Sequence, residues 1–195
     1  MATLEAVNDV LGAIGQSPIQ SLDYANPEFS YVNNLINETN RDLQNEGWVW
    51  NRESYYPLNP DENDEIPLSP TMLRVDISDG QVWRTTDVVR RQDKLYDKLN
   101  HSYFFYQQVY CDIVWLLDYD DLPGAAKRYI IAHSKTRAAM QLITNPELTQ
   151  LLSRDAQLAR ATLMEYECNQ GDFTWFGTPY GTVHRPYQPY QTLVR

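Results

Sequence analysis

The hydrophobic period of this chain changes twice along its length, and this feature constrains the fold more than any other. Before residue 48, apolar residues recur at the helical spacing i, i+3, i+4, i+7. Residues 48–119 are instead rich in aromatic and β-branched residues that alternate with polar ones, which is typical of strands. The helical spacing returns after residue 120. The pattern predicts an α+β fold, mainly a bundle of four helices with a small antiparallel β domain inserted into it.

Two helices are predicted before the insertion. The first begins after Thr3 as its N-cap and ends at Gly15. The second begins at Asn26-Pro27, with proline in the first turn, and ends at Gly47. Their short connection favours an antiparallel hairpin. The apolar stripe of the second helix is Val32, Leu35, Ile36, Thr39 and Leu43.

Two further helices are predicted after the insertion. The sequence DDLP at 120–123 marks the start of a third helix that runs to about residue 144. Asn145-Pro146 starts a fourth helix, which ends near Gly171. The third helix has Tyr129, Ile130, Ala139, Leu142 and Ile143 available for packing. The stripe of the fourth is Leu148, Leu151, Leu152, Leu158, Ala159 and Leu163. The bundle therefore comprises residues 1–47 and 120–170.

Residues 48–119 form the predicted β domain. Strands are expected at 48–50 continuing to 55–56, at 72–77 before the turn Asp79-Gly80, and more weakly at 82–83 and 95–96. The clearest strand spans 103–117, with Cys111 and Ile113 on one side and Tyr110 and Asp112 on the other. Residues 57–70 hold four prolines and an acidic run, which predicts a loop.

Residues 171–195 differ from the rest of the chain, because they combine three prolines and three glycines with six aromatic residues and show no period. Extended, this segment reaches on the order of 80 Å. We predict a C-terminal arm that orders on a neighbouring molecule; the alternative is that it folds back over its own domain. The partner-binding candidates are Phe173, Trp175, Phe176, Tyr180, Tyr187 and Tyr190.

The formal net charge of −10 argues against a protein that wraps nucleic acid by neutralising phosphates. The charge is uneven, since residues 1–47 carry seven acids and one base whereas residues 120–170 carry six of each. An acidic wall would let DNA slide past without binding. Ordinary solvated surfaces explain the same pattern equally well.

No catalytic, metal-binding or cofactor motif stands out in the sequence. His101, His133 and His184 lack metal-ligand spacing, and the two cysteines form neither a disulfide framework nor a zinc motif. The carboxylates Asp118, Asp120 and Asp121 offer material for glycosidase chemistry, but helix capping is the favoured explanation. There is no signal-peptide pattern and no apolar run of ~20 residues, so we expect folding in a reducing cytoplasm without membrane insertion.

Four stretches in order resemble the tail tubular protein A family, the head–tail adaptors or gatekeepers of short-tailed, autographivirus-type podoviruses. They are AVNDVLGAIGQSP at 6–18, LQNEGWVWN at 43–51 followed by Glu53, LYDK at 95–98, and DYDDLP at 118–123 followed by RYI at 128–130. Each stretch alone is weak evidence, whereas four in the same order over residues 6–170 are strong.

The resemblance implies a non-enzymatic virion protein that forms a dodecameric ring between the portal protein and the nozzle, tail tubular protein B. It also implies retention of packaged DNA, which passes through the lumen without specific binding, and support for the tail fibre protein. The strand at 103–117 and the arm are our candidates for crossing a subunit boundary. Two alternatives remain: a tail-associated polysaccharide hydrolase, and a protein-binding module that uses the arm.

Overall fold

The computed structural model describes residues 3–23, 26–78, 86–143 and 145–171, and it confirms the α+β class. Two 3-10 turns, Val49–Asn51 and Tyr119–Asp121, lie where the chain passes from helices to strands and back. The helices and strands of the described residues are α1 (Leu4–Ala13), α2 (Pro27–Asn45), β1 (Arg52–Leu58), β2 (Met72–Ile77), β3 (Val88–Arg91), β4 (Lys94–Asp97), β5 (Val109–Trp115), α3 (Gly124–Leu142) and α4 (Pro146–Gly171).

Both predicted starts of the first helix pair are confirmed. Thr3 Oγ1 accepts a hydrogen bond from the Ala6 amide at 3.2 Å, and Asn26 Oδ1 accepts one from the Glu28 amide at 2.9 Å. Gly15 and Gly47 follow the two helices with φ of +76° and +79°, a left-handed conformation that ends a helix. The whole predicted stripe of α2 is buried.

The strands form a three-stranded antiparallel sheet in the order β1-β5-β2 and a separate β3-β4 hairpin. The alternation predicted for β5 is confirmed from Val109 to Ile113, since Cys111 and Ile113 are buried and Tyr110 is exposed, but it ends there because the next residue, Val114, is buried as well. Because β5 is the central strand, both of its edges are already paired. The prediction that this strand extends a neighbour's sheet is therefore wrong.

Several strand limits differ from the prediction. Residues 49–51 form a 3-10 turn instead of a strand, because Asn51 Oδ1 accepts the Trp48 amide at 2.8 Å and turns the chain. The predicted loop begins only after Leu58, since Pro57 lies in β1, an edge strand that tolerates a missing N–H. Residues 103–108 are irregular, so β5 begins at Val109. The turn at 79–80 and the strand at 82–83 lie outside the described residues.

The buried side chains form one large cluster among α1, α2 and α3 and a second one around the sheet. Helix α4 packs mainly on α3, with Leu163 in the large cluster and Ala156 and Ala159 against Ala132. The predicted α4 stripe is therefore wrong in part. Leu151 and Leu158 are 62% and 65% exposed, because α3 packs against the opposite side of the helix. Leu142, predicted to pack, is also exposed. No helix within the described ranges is long and apolar enough to cross a membrane.

Candidate assembly surfaces

The Gln44 side chain lies fully buried where the helices meet the sheet. Its Nε2 donates to the Leu117 carbonyl at 3.0 Å and to Asn40 Oδ1 at 2.9 Å, and its Oε1 accepts from the Leu117 amide at 2.7 Å. Leu117 belongs to the segment that returns from β5 to α3. One side chain at the end of α2 thus holds the returning chain by both of its backbone groups.

Asn51 makes the complementary contacts from the outgoing segment. Its Nδ2 donates to the Gln44 carbonyl and to the Trp115 carbonyl, each at 2.9 Å. Gln44 and Asn51 therefore bind the two chain crossings between helices and sheet to each other, and we call this network the junction brace. A buried polar network in which the partners are satisfied fixes one geometry.

Two features favour glycine at position 47. Its φ of +79° disfavours residues with a Cβ. A Cβ there would also lie 2.9 Å from Arg74 Nη2 and 3.1 Å from Val114 Cγ2. The stretch LQNEGWVWN thus encodes the junction brace. The sequence predicted the helix end at Gly47 and the resemblance from this stretch, but not the contacts of Gln44 and Asn51.

Two polar side chains attach α4 to this junction. Arg160 forms a bidentate ion pair with Glu46, and its guanidinium lies 4.8 Å from the Trp48 ring centroid and 5.2 Å from that of Tyr129. Glu167 Oε1 accepts the Val49 amide at 2.8 Å. Burial raises the pKa of Glu167, while the bond from Val49 lowers it. Its Oε2 is buried without a hydrogen-bond partner among the described residues.

One side of α4 presents apolar side chains to solvent. Leu151 and Leu158 are seven residues apart, so they lie on the same side of the helix two turns apart. Both are more than three-fifths exposed. We call this surface, Leu151 with Leu158, the α4 flank. Large apolar side chains left on one helix side are typical of a surface that a further chain covers.

A groove of about 360 Å³ lies at the end of the bundle where α1 ends, α2 begins and α3 ends. Leu142, 54% exposed, lies on its rim. The remaining lining residues are Ile14, Gln16, Pro27, Glu28, Tyr31, Val32 and Ile143. The groove is mostly apolar and is called the bundle-end groove below.

The sheet region exposes aromatic rings. Tyr106 is 82% exposed, and Tyr55, Phe104 and Tyr110 are exposed as well. Tyr55 lies at a bulge of β1 with φ of +58°, and its amide donates to Ser78 Oγ and Asp112 Oδ1 at 3.2 Å each. A non-glycine residue in this conformation is strained, and the Tyr55 ring is exposed on the edge strand β1.

A second, polar pocket of about 240 Å³ lies on the same sheet and is lined by Arg52, Arg74, Asp76, Ile77, Asp112 and Val114. Arg52 pairs with Asp112 at 3.2 Å, and Asp112 also accepts the Ser78 hydroxyl at 2.6 Å. Two cations and two carboxylates share this pocket. Their charges offset each other, so the pocket lacks the excess charge that an ionic ligand needs.

The candidates for chemistry do not converge on a cleft. Asp118, Asp120 and Asp121 are exposed and line neither pocket. The expectation that they cap the helix is wrong, because Pro123 occupies the N-cap position of α3 and the 3-10 turn before it has no side-chain cap.

Cysteine and histidine give no site either. Burial raises the pKa of the Cys111 thiol to about 12, which keeps it protonated at neutral pH. His133 stacks on Tyr129, and burial lowers its pKa. The described residues contain no cluster of three or more His, Cys, Asp or Glu side chains that could hold a metal.

The six predicted partner-binding residues all belong to the arm and lie outside the described residues. They are Phe173, Trp175, Phe176, Tyr180, Tyr187 and Tyr190. Their role stays a prediction.

A comparison with curated proteins gives no match. A comparison with protein-family models matches residues 4–173 to the tail tubular protein family. The match includes every described helix and strand and all four stretches that carry the resemblance. This chain therefore belongs to the tail tubular protein family and is a structural component of the virion tail.

Proposed function

We propose that this chain is the head–tail adaptor of a short-tailed phage, a subunit of a dodecameric ring that joins the portal protein to the nozzle, tail tubular protein B. The observation that carries the proposal is the exposure of apolar side chains in two different regions of a tail tubular protein. One region is the helical bundle with the α4 flank and the bundle-end groove. The other is the sheet with its exposed aromatic rings.

A ring built from one kind of subunit needs two different surfaces on each copy, because each subunit meets its neighbours head to tail. An adaptor needs further surfaces toward the portal, the nozzle and the tail fibre protein. Stable interfaces of this kind are large and apolar at their centres and are enriched in aromatic residues. The exposed leucines and aromatic rings meet this requirement in kind.

The proposal includes two domains, a bundle of residues 1–47 and 120–170 and a β domain of residues 48–119. Two separate buried clusters support this division. The arm, residues 171–195, then serves as the segment that binds the portal or a neighbouring subunit through its aromatic residues. The net charge of −10 supports a lumen through which packaged DNA passes without specific binding.

The proposal assigns no catalytic step to the chain. The carboxylates that a polysaccharide hydrolase would need are exposed outside both pockets, and general acid catalysis by a carboxyl group depends on a raised pKa in a cleft. Family membership also favours a structural role.

Size-exclusion chromatography with light scattering, on the chain alone and with the cognate portal protein, tests the adaptor role. We expect a monomer alone and a large co-eluting complex with the portal. A chain that ends at Gln170 should keep its helical circular dichroism and lose the complex. Failure to associate with the portal at any salt concentration would contradict the adaptor role.

A further inference from the structure

The three-stranded sheet is poorly suited to bind another chain by strand addition. Edge strand β1 holds Pro57 and a bulge, and both interrupt a hydrogen-bonded ladder. On edge strand β2, Arg90 Nη1 donates to the Met72 carbonyl at 2.7 Å. The Asp76 carboxylate accepts the Ile77 amide at 2.8 Å on the same strand. Because both edges are partly blocked, side chains are the better candidates for contacts of the sheet region with a further chain.

Two aromatic side chains project from the segment that precedes β5. Phe104 and Tyr106 are exposed, whereas Phe105 between them is buried in the cluster around the sheet. The Phe105 amide also donates to the Asp64 carbonyl at 2.7 Å. A buried, hydrogen-bonded residue thus fixes the backbone from which the two exposed rings extend, and this lowers the entropy cost of ordering them on a partner. We call Phe104 with Tyr106 the aromatic pair.

The bundle-end groove has the chemistry to receive such rings. Apart from Gln16 and Glu28, its lining residues are apolar or aromatic. Its volume of about 360 Å³ lies at the lower end of the range for pockets that bury small organic molecules, which suits one or two aromatic side chains. The Glu28 side chain is exposed, so its carboxylate can accept a hydrogen bond from an inserted tyrosine hydroxyl group.

The groove and the sheet lie toward opposite ends of α2. Pro27 and Val32, from the first turns of α2, line the groove, whereas Gln44 near its end binds the segment that follows β5. Helix α2 has 19 residues and is therefore about 28 Å long at ~1.5 Å per residue. The aromatic pair of a chain thus lies away from the groove of the same chain. Contact between two different surfaces of two copies is the kind that a head-to-tail ring uses.

We infer that the aromatic pair of one subunit inserts into the bundle-end groove of the next subunit in the ring. The inference deepens the proposed function and rests on it, because it assigns the two surfaces of the head-to-tail contact. Each copy then donates its aromatic pair to one neighbour and receives the aromatic pair of the other neighbour.

The area of this contact agrees with a subunit that is monomeric by itself. A buried aromatic side chain removes roughly 150–250 Å² from solvent, so two of them contribute about 300–500 Å² on one partner. A stable interface buries about 800 Å² on each partner. The contact alone is therefore too small to hold free subunits together. It becomes sufficient when the portal protein holds neighbouring subunits side by side, because their local concentration is then high.

The first test places a photoreactive residue, p-benzoylphenylalanine, at position 106 of the full-length chain, so that an aromatic ring is retained there. Isotope-labelled and unlabelled chains are mixed with the cognate portal protein, irradiated and digested. Trypsin leaves the groove residues in two peptides, 1–41 and 138–154. We expect position 106 of one copy to be cross-linked to one of these peptides of another copy. The same residue at position 55, where Tyr55 is also exposed, is the control and should not give this cross-link.

Three other results would overturn the inference. They are a cross-link of position 106 to the groove of the same chain, a cross-link only to the portal protein or to another part of a neighbouring copy, and no cross-link at all. The first of them would mean that the groove is filled from within the subunit.

The second test is a double-mutant cycle across the contact. Tyr106→Ala and Leu142→Asp change exposed residues, so both variants should keep the circular dichroism of wild type. Each should raise the chain concentration that half-saturates the portal protein about tenfold, as expected for loss of an aromatic anchor. The double variant should be no weaker than the weaker single variant, because both changes remove the same contact. Met140→Asp, exposed on α3 outside the groove lining, is the control and should bind like wild type. Additive losses would overturn the inference.

The contact and the adaptor role can fail separately. Irradiation of the position 106 variant in concentrated solution without the portal protein tests the contact by itself. The expected cross-link in that solution without portal binding would remove the adaptor role and keep the contact. Portal binding without the cross-link would keep the adaptor role and overturn the contact.

Discussion

Helices α2 and α4 have similar apolar patterns in the sequence, but the structure treats them differently. Every member of the α2 stripe is buried, because α1, α3 and the sheet surround that helix. Helix α4 is longer, yet its buried residues are Ala156, Ala159, Leu163 and Gly171, and two leucines of its stripe face solvent. The hydrophobic period of a helix thus indicates which of its sides is apolar. Whether that side is buried also depends on how many other helices and strands pack against it. Helix α4 therefore keeps apolar side chains that the described part of the chain does not cover.

The largest effect should come from a charge in the buried stripe. Leu35 is 4% exposed, so Leu35→Asp places a carboxylate in the cluster of α1, α2 and α3. We expect a loss of about 4 kcal/mol or more in the free energy of unfolding. Urea unfolding followed by circular dichroism measures it. The matched change Leu151→Asp on the α4 flank should cost little, and equal losses at both positions would remove the contrast between the helices.

The next largest loss in the free energy of unfolding is expected for a substitution in the junction brace. Gln44→Leu leaves the amide and carbonyl of Leu117 without their side-chain partner at a partly buried position. We expect a loss of about 3 kcal/mol, because each unsatisfied buried group costs ~1–3 kcal/mol. Asn37→Leu, at an exposed position of α2, is the control and should stay within ~0.5 kcal/mol of wild type. A Gln44→Leu variant as stable as the control would mean that the brace contributes nothing.

A smaller effect is expected where α4 is attached. Arg160→Met removes the ion pair with Glu46 and the contacts with the rings of Trp48 and Tyr129. Partly exposed ion pairs and ring contacts of this kind contribute about 1 kcal/mol. Hydrogen exchange should become faster in α4 and stay unchanged in α2. Arg154→Met changes an exposed residue of the same helix and serves as the control. If Arg160→Met made hydrogen exchange faster in both α4 and α2, the prediction that α4 opens independently of α2 would be wrong.

Glu167 should make the stability of the folded chain depend weakly on pH. Its pKa is raised by burial in the folded chain, so the folded chain holds this proton more tightly than the unfolded chain does. Above the folded pKa, Glu167 is ionised and its burial destabilises the folded state. This destabilisation disappears as the pH falls through the folded pKa and the carboxyl group becomes protonated. Glu167→Gln should therefore raise Tm relative to wild type most at pH 7, and the difference should narrow toward pH ~4. A difference that widens on acidification would contradict this, and Glu165→Gln is the exposed control.

The smallest effect on stability is expected at the α4 flank itself. Leu158→Ser changes a 65% exposed residue and should alter the free energy of unfolding by no more than ~0.5 kcal/mol. Its effect on assembly should be larger, with weaker complex formation with the portal in light scattering. Leu163→Ser, fully buried five residues later, should destabilise the fold strongly. If Leu158→Ser assembles like wild type, the flank is not an interface.

The sequence predicted the elements that depend on local signals. Thr3, Asn26 and Gly47 each act through contacts or φ values within a few residues, and their roles at the helix ends were therefore readable. The exposure of Leu151 and the pairing of β5 on both edges depend on which distant elements lie alongside, and no local signal reports this. The brace was missed for the same reason, because Gln44 and Leu117 are 73 residues apart.

The family membership was readable because it depends on the order of several short stretches, and the structure explains one of them. Gln44, Gly47 and Asn51 occur together because the crossing needs an amide, a left-handed turn and a second amide in that order. For the arm, the sequence composition is the basis of the prediction, because residues 172–195 lie outside the described residues.

The junction brace has a mechanical consequence. The sheet and the helices are joined by two chain segments, one from α2 to β1 and one from β5 to α3. Without further contacts, the sheet could rotate relative to the helices about the line through these two segments. Gln44 ties the outgoing segment to the returning one, and Asn51 ties them a second time. Torque applied to the sheet is then carried into α2 and α3 as shear on several hydrogen bonds loaded side by side. Such a joint transmits a load between the sheet and the helices with little bending at the junction.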